Sequence, residues 1–449
     1  MTRSAVLHRS LRSHYPLAVR GEGVYVYDSD GKAYLDACGG AAVSCLGYSN
    51  EHVRKAIASQ LSKISYIHSG FFTTEPMERL ADELITHAAG SDDTVRQFSH
   101  IYFVSGGSEA VESAIKLARQ YFLETDQPQR HLVIARQQSY HGNTIGALSV
   151  GGNMWRRQPF DPILLNAHLI SPCYPYRYQV DGESAEEYGR RAANELEAKI
   201  KELGEEQVMA FIAEPVVGAT LGAMTAVPGY FKRIREICDQ YGVLLILDEI
   251  MCGMGRTGTL HACEQDGIVA DIQTVAKGIA SGYQPLGAVY VSDKITAAIE
   301  AGSGYFQHGH TYIGHALACA AGLATQQEIR NRDLLKNVKQ KGLLLKDTLH
   351  DVLSEHPHVG DIRGRGLFIG IELVADKISK TPFDPALALH KKIKLRAMEQ
   401  GLMCYPMGGT VDGKFGDHIL LAPPFIVEEE HVQQIVEIIS SVIKEVVVP

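Results

Sequence analysis

Apolar residues recur in two rhythms along this chain. From about residue 100 to 290, short unbroken runs alternate with stretches of helical period. The runs are "HIYFV" (100–104), "HLVIA" (131–135), "VMAFIAEPV" (208–216), "VLLILDE" (243–249), "DIQTVAK" (271–277) and "LGAVYVS" (286–292). Runs of this length are strands buried on both faces, and their alternation with helical patterns predicts an α/β fold with a parallel sheet covered by helices. The segment "SEAVESAIKLARQYF" (108–122) carries Ala110, Ala114, Leu117, Ala118 and Tyr121 on one stripe, with acids early and Lys116 and Arg119 later. That is a helix whose N-terminus faces the end of the first strand.

The flanks read differently. "GVYVYDSDGKAYLD" (23–36) is hairpin-like around an Asp-Ser-Asp-Gly turn, and residues after 326 mix helices with short strands. The expected organisation is a large lobe over 60–325 and a smaller α+β lobe built from both ends, 1–59 and 326–449.

Composition removes several function classes. At 449 residues with 45% hydrophobic content, the chain can bury a large core. Its net charge of −9, without a Lys/Arg block, gives a nucleic-acid backbone no track to follow. Eight cysteines are scattered without CxxC or zinc-type spacing, so no metal is expected, and reduced thiols in a cytoplasm fit best. No segment approaches the length of a membrane span, and "MTRSAVLHRSLRSHYPLAV" at the start holds no uninterrupted apolar stretch.

Three polar features remain, each ordinary alone. "SGGSEA" (105–110) puts glycines and a serine between a buried strand and a helix start, where free amides favour a phosphate; by itself it is equally a tight turn. Lys277 closes an apolar run, commonly the place of a solvated edge residue, yet a desolvated lysine there can form a Schiff base with a carbonyl. Asp248 closes another run, where acids are commonly caps or ion-pair partners. Ligands of open α/β sheets gather outside the C-terminal strand ends, and all three features sit there. A phosphate site, an amine and a carboxylate together specify a phosphorylated aldehyde with a basic ring nitrogen, namely pyridoxal phosphate. Tyr140 in "SYHG" (139–142) could stack on such a ring, His141 reads as a satisfied hydrogen-bonding histidine, and Glu214 repeats the acid-after-strand pattern. Glu249 receives no chemical role.

With those residues in view, the chain resembles the class III (omega) aminotransferases of the fold-type I pyridoxal phosphate enzymes. The likeness runs through "DSDGKAYLDACGG", "SGGSEAVESAIKLAR", "SYHG", "AEPVVG", "LILDEIMCGMGRTG", "DIQTVAKG", "HGHTYIGHALACAA", "IRGRGLFIGIEL" and "LLAPPF" in order. It implies that Lys277 holds the cofactor and shuttles the proton. Gly106, Gly107 and Ser108 would receive the phosphate, Tyr140 and Ile250 would cover the two ring faces, and Asp248 would pair with the ring nitrogen, with His141 and Glu214 alongside. Thr311 would reach the phosphate of a neighbouring subunit, which implies a homodimer with shared active sites and leaves open the pairing of dimers into tetramers.

Departures from the family pattern bear on substrate. Ornithine and 4-aminobutyrate enzymes carry an arginine two residues before "APP", gated by the glutamate matching Glu214; here the position is Leu420. A buried carboxylate without a guanidinium is costly, so pyruvate is expected as acceptor rather than 2-oxoglutarate. Amine:pyruvate enzymes often carry a mobile arginine where this chain has Gly413, with Lys414 next to it as a candidate substitute. Ala42 stands where they often have tryptophan, which implies a roomier pocket. Arg363 and Arg365 are further candidate anion partners, at least one of them expected in a structural ion pair. The resemblance therefore implies a ping-pong transaminase, closest in type to the amine or omega-amino acid:pyruvate enzymes. Such an enzyme takes the amino group of a primary amine, diamine or omega-amino acid through pyridoxamine phosphate to pyruvate. Racemases, aminomutases, decarboxylating transaminases and phospho-lyases of the same family are the alternative.

Overall fold

The computed structural model describes residues 4–88, 97–166 and 168–447. The N-terminal strands β1 (Ala18–Glu22), β2 (Tyr25–Asp28) and β3 (Ala33–Asp36) form an antiparallel meander. Seven strands then build the central sheet: β4 (Phe98–Val104), β5 (Leu132–Arg136), β6 (His168–Ile170), β7 (Val208–Ala213), β10 (Leu244–Asp248), β11 (Ile272–Val275) and β12 (Gly287–Ser292). A short hairpin, β8 (Val216–Val217) with β9 (Met224–Thr225), follows β7. Strands β13 (Val359–Arg365), β14 (Phe368–Leu373), β16 (Tyr405–Gly408) and β17 (Asp417–Leu421) make an antiparallel C-terminal sheet. The two-residue β15 (Leu402–Met403) pairs instead with β3, joining the two ends of the chain in one sheet.

The central order is β4-β12-β11-β10-β7-β5-β6. Six strands run one way, while β12 is antiparallel to both neighbours, which corrects the expectation that "LGAVYVS" joins a parallel set. The segment after β11 holds only a short 3-10 turn, Lys277–Ile279, and no crossover helix. Without one, the chain returns antiparallel. The three-residue edge strand β6 was too short to stand out in the sequence.

Period-two alternation sorts the sheet's side chains. Leu245 and Leu247 of β10 join Phe211 and Ala213 on one face, under helices Glu75–Thr86, Ala185–Leu203 and Tyr230–Tyr241. Leu244 and Ile246 join Ile212 on the other, under Gly107–Glu124 and Asp293–Ala301. All five β10 residues are buried, and each apolar one stabilises the sheet by about 1.5–3 kcal/mol relative to exposure. A separate core gathers Val24 and Leu35 from the N-terminal meander with Leu345, Ile369, Ile419 and Ile439 from the C-terminal region. No helix among the described residues is long and apolar enough to cross a membrane.

Candidate active site

Sheet register brings the polar features together. Leu247 lies opposite Ala213, so Asp248 ends β10 beside Glu214 at the end of β7. On the other side Asp248 is opposite Thr274, and Lys277 follows three residues later. The N-terminus of helix Gly107–Glu124 arrives from β4 over the same rim. A cavity of about 190 Å³ results, lined by Gly107, Ser108, Tyr140, His141, Gly142, Glu214, Gly218, Ala219, Asp248, Ile250, Met251 and Lys277.

At the helix start, Gly106 takes the cap position without a side-chain cap, so the first amides stay free for an anion. Ser108 Oγ donates to Asn143 Oδ1 at 2.9 Å and accepts from Asn143 N at 3.1 Å. A Cβ on Gly142, at φ +138°, would fall 2.7 Å from Ser108 Oγ, and one on Gly107 would meet Ile250 at 3.0 Å. Only glycines allow this cradle its close packing.

The carboxylate opposite is anchored from behind. His141 Nδ1 donates to Asp248 Oδ2 at 2.7 Å, and Ile250 N donates to Asp248 Oδ1 at 3.0 Å. His141 Nε2 lies 3.8 Å from Glu214 Oε2, and Tyr140 N donates to Glu214 Oε1 at 3.0 Å. Burial alone would lower the His141 pKa, but Glu214 and the Asp248 hydrogen bond outweigh it and the value is raised. Arg136, at the end of β5, supplies the cation that Glu214 needs: its Nη2 lies 3.4 Å from Glu214 Oε2 and bonds the Glu214 carbonyl. Sequence reading missed Arg136, although its position after "HLVIA" repeats the charge-after-strand signal.

Lys277 adopts a left-handed conformation, φ +49°, and its Nζ donates to Ala41 O at 3.1 Å. Ala41 and Ala42 are left-handed too, at φ +71° and +63°. Conformations so rare for alanine persist only where surrounding packing imposes them. Burial pushes the Lys277 pKa down to about 8, with Asp248 opposing the shift. At neutral pH this increases the free amine by a factor on the order of 10² over an ordinary lysine.

Ala42 and Leu420 are not among the residues lining this cavity; they share a buried apolar cluster with Ala219 and Met251, which do line it, and with Tyr405. Leu420 is 1% exposed in β17, paired with Tyr405 of β16. Lys414 is not among the residues lining the cavity: it is exposed, in a turn held by Asp412, with its ammonium 5.1 Å from the Phe415 ring. Thr311 is exposed and outside this cavity; its carbonyl accepts from Tyr66 at 3.1 Å. Arg363 pairs with Glu372 at 2.6 Å and Arg365 with Asp266 at 2.9 Å, so both arginines are engaged within the chain.

Glu249 points the other way from Asp248. It accepts from Ala262 N at 2.7 Å and Cys263 N at 2.9 Å, tying down the following 3-10 turn, and burial pushes its pKa up to about 7. The cavity's own donors fit pyridoxal phosphate: unengaged helix-start amides for a phosphate, a depressed amine for a carbonyl, and a buried carboxylate for a protonated ring nitrogen.

Comparison with known proteins agrees. The pattern of the family described as aminotransferase class-III matches residues 8–443. An aminotransferase of Gibberella zeae is 46% identical over 98% of this chain and 86% of its own. A solved (S)-enantioselective omega-transaminase from Thermomicrobium roseum is 35% identical, with a TM-score of 0.90 over 98% of this chain and 94% of its own. The omega-transaminase of Pseudomonas jessenii, solved in complex with PMP, is 32% identical, with a TM-score of 0.89 over 96% and 93%. Sequence and fold thus agree, and the chain is a member of the class-III aminotransferases, pyridoxal-phosphate-dependent transferases of fold type I.

Proposed function

We propose that this enzyme moves the amino group of a primary amine, diamine or omega-amino acid to pyruvate by ping-pong chemistry. Pyridoxal phosphate, when bound, supplies a carbonyl for the amine and a ring that withdraws electrons from the carbon bearing nitrogen. Gly106, Gly107 and Ser108 would receive the phosphate at the helix start, while Tyr140 and Ile250 would flank the ring. Asp248, oriented by His141, would accept a hydrogen bond from the ring nitrogen and keep it protonated. Lys277 would hold the cofactor through its amine and, once freed by the donor amine, would move the proton between the donor's carbon and the cofactor.

The observation that carries the acceptor reading is Leu420, buried among apolar side chains where related 4-aminobutyrate and ornithine enzymes place an arginine. A 2-oxoglutarate carboxylate held by that route would be buried without a cation. Ala42, where related amine:pyruvate enzymes often carry tryptophan, favours bulkier donors in this reading. A panel of diamines, taurine-like, beta- and omega-amino acids, each run against pyruvate and 2-oxoglutarate, tests this. Pyruvate is expected to exceed 2-oxoglutarate at least about tenfold in kcat/KM. Equal use of 2-oxoglutarate refutes the acceptor reading. Racemised or eliminated product with unchanged cofactor absorption in donor-only mixtures refutes transamination itself.

The same reading makes the molecule a homodimer with Thr311 reaching a partner's site. Support comes from the exposed Tyr305 and Tyr312 flanking Thr311, and from the exposed Phe71 and Phe72 that follow Tyr66, whose ring meets Tyr312 and whose hydroxyl bonds Thr311. A cytoplasmic setting is favoured by eight free, buried cysteines.

A further inference from the structure

Two adjacent arginines in the short helix Met154–Arg157 have opposite surroundings. Arg157 Nη1 donates to the carbonyls of Leu148, Ser149 and Gly151 and is fully engaged. Arg156 makes no side-chain hydrogen bond, and no carboxylate approaches it within 4.0 Å among the described residues. Its guanidinium lies 4.5 Å from the ring centroid of Tyr140, a residue lining the active-site cavity, and its Nε is buried without a partner. Cation–π attraction of about 0.5–2 kcal/mol holds the group there but does not replace an anion.

Its placement is built rather than incidental. Asn153 caps the helix by accepting from Arg156 N at 3.3 Å, and Asn153 Nδ2 donates to Gln138 Oε1 at 2.9 Å. Gln138 in turn donates to the carbonyls of Gly409 and Thr410. The loop beyond them packs on the helix so closely that a Cβ on Gly413, at φ +89°, would fall 3.0 Å from Trp155 N. A side chain at position 413 would be strained and would press on the Trp155 backbone. The loop backs the helix that presents Arg156. The charge of Arg156 is felt at Lys277, adding slightly to the effect of burial and Arg256 on its amine.

We propose that Arg156 binds the carboxylate of the keto-acid acceptor, the part that positions 413 and 420 leave unfilled. This rests on the transaminase reading above. A guanidinium without an internal partner can form a bidentate, charge-assisted pair without first breaking an ion pair. Lysine at the position would keep the charge and lose the fork.

The test uses purified holoenzyme and two readouts. Isothermal titration with propionate, an unreactive carboxylate, is expected to show affinity falling about tenfold or more in Arg156→Met and less in Arg156→Lys. In steady state with a carboxylate-free amine, the KM for pyruvate should rise about tenfold while the donor KM stays within about twofold. Propionate affinity unchanged in Arg156→Met, or both KM values rising together, overturns the proposal. If wild type does not use pyruvate, the functional reading fails, and the propionate titration still decides the role of Arg156. Retained cofactor absorption and Tm qualify each variant as folded; if Arg156→Met does not fold, Arg156→Gln is scored by the same criteria.

Discussion

Lys277 and Glu249 show how burial sets chemistry residue by residue. In the apoenzyme, the Lys277 amine becomes neutral around pH 8 rather than near the ordinary lysine value of about 10.4. Stopped-flow capture of pyridoxal phosphate by apoenzyme is therefore expected to accelerate with pH and level off above about 8. Continued acceleration to pH 10 would contradict this. Lys277→Ala should leave no covalently held cofactor absorbance after gel filtration and lower turnover by at least about 10³-fold. Glu249 is the converse case, with a folded pKa raised to about 7. Its contribution to stability is full below its unfolded pKa near 4.3 and is lost as pH rises through about 7, because the folded state holds the proton longer. Urea denaturation at pH 5 and pH 8 should show a decline that Glu249→Gln flattens. Both strand-end charges were visible in the sequence; which faces the ligand was decided by the pleat, which turns Asp248 toward the cavity and Glu249 toward Ala262 and Cys263.

Strand ends are the elements that matter, because β5, β7 and β10 deliver Arg136, Glu214 and Asp248 to one rim. Arg136→Met would leave Glu214 buried beside His141 without its guanidinium. A loss of about 3 kcal/mol in urea-denaturation stability is expected, largely recovered when Glu214→Gln is added. Equal destabilisation in the single and double variants would show that Arg136 acts by packing alone. The apolar runs that became strands were legible because burial on both faces leaves no polar interruption. The direction of β12 was not legible, since it depends on whether the connection carries a helix. The meeting of Arg136 with Glu214 was equally hidden, since the two residues are far apart in sequence and only the pairing of β5 with β7 joins them.

For the whole molecule, exposed aromatics in the segments of Tyr66 and Thr311 are the large-scale clue. Phe71 is 80% and Phe72 64% exposed, a placement that costs hydration free energy unless another surface covers them. If they form the proposed dimer contact, Phe71→Glu combined with Phe72→Glu should yield monomers by light scattering and reduce turnover together with cofactor retention. A dimer with full activity in that variant would locate the interface elsewhere.

The sequence by itself determined the α/β class, the strand-end position of Asp248 and Lys277, the glycine-rich helix start and the need for a phosphorylated, ring-bearing aldehyde. Those features are local, set by runs of apolar residues and by which polar residues close them. Only the tertiary structure decided that Arg136 neutralises Glu214, that Lys414 is exposed, that Gly413 backs onto Trp155, and that Arg156 stands over Tyr140 with no carboxylate partner among the described residues. Each depends on contacts between distant segments. Hydrophobic periodicity specifies which face of an element is buried, and it does not specify which charged side chains that burial brings face to face.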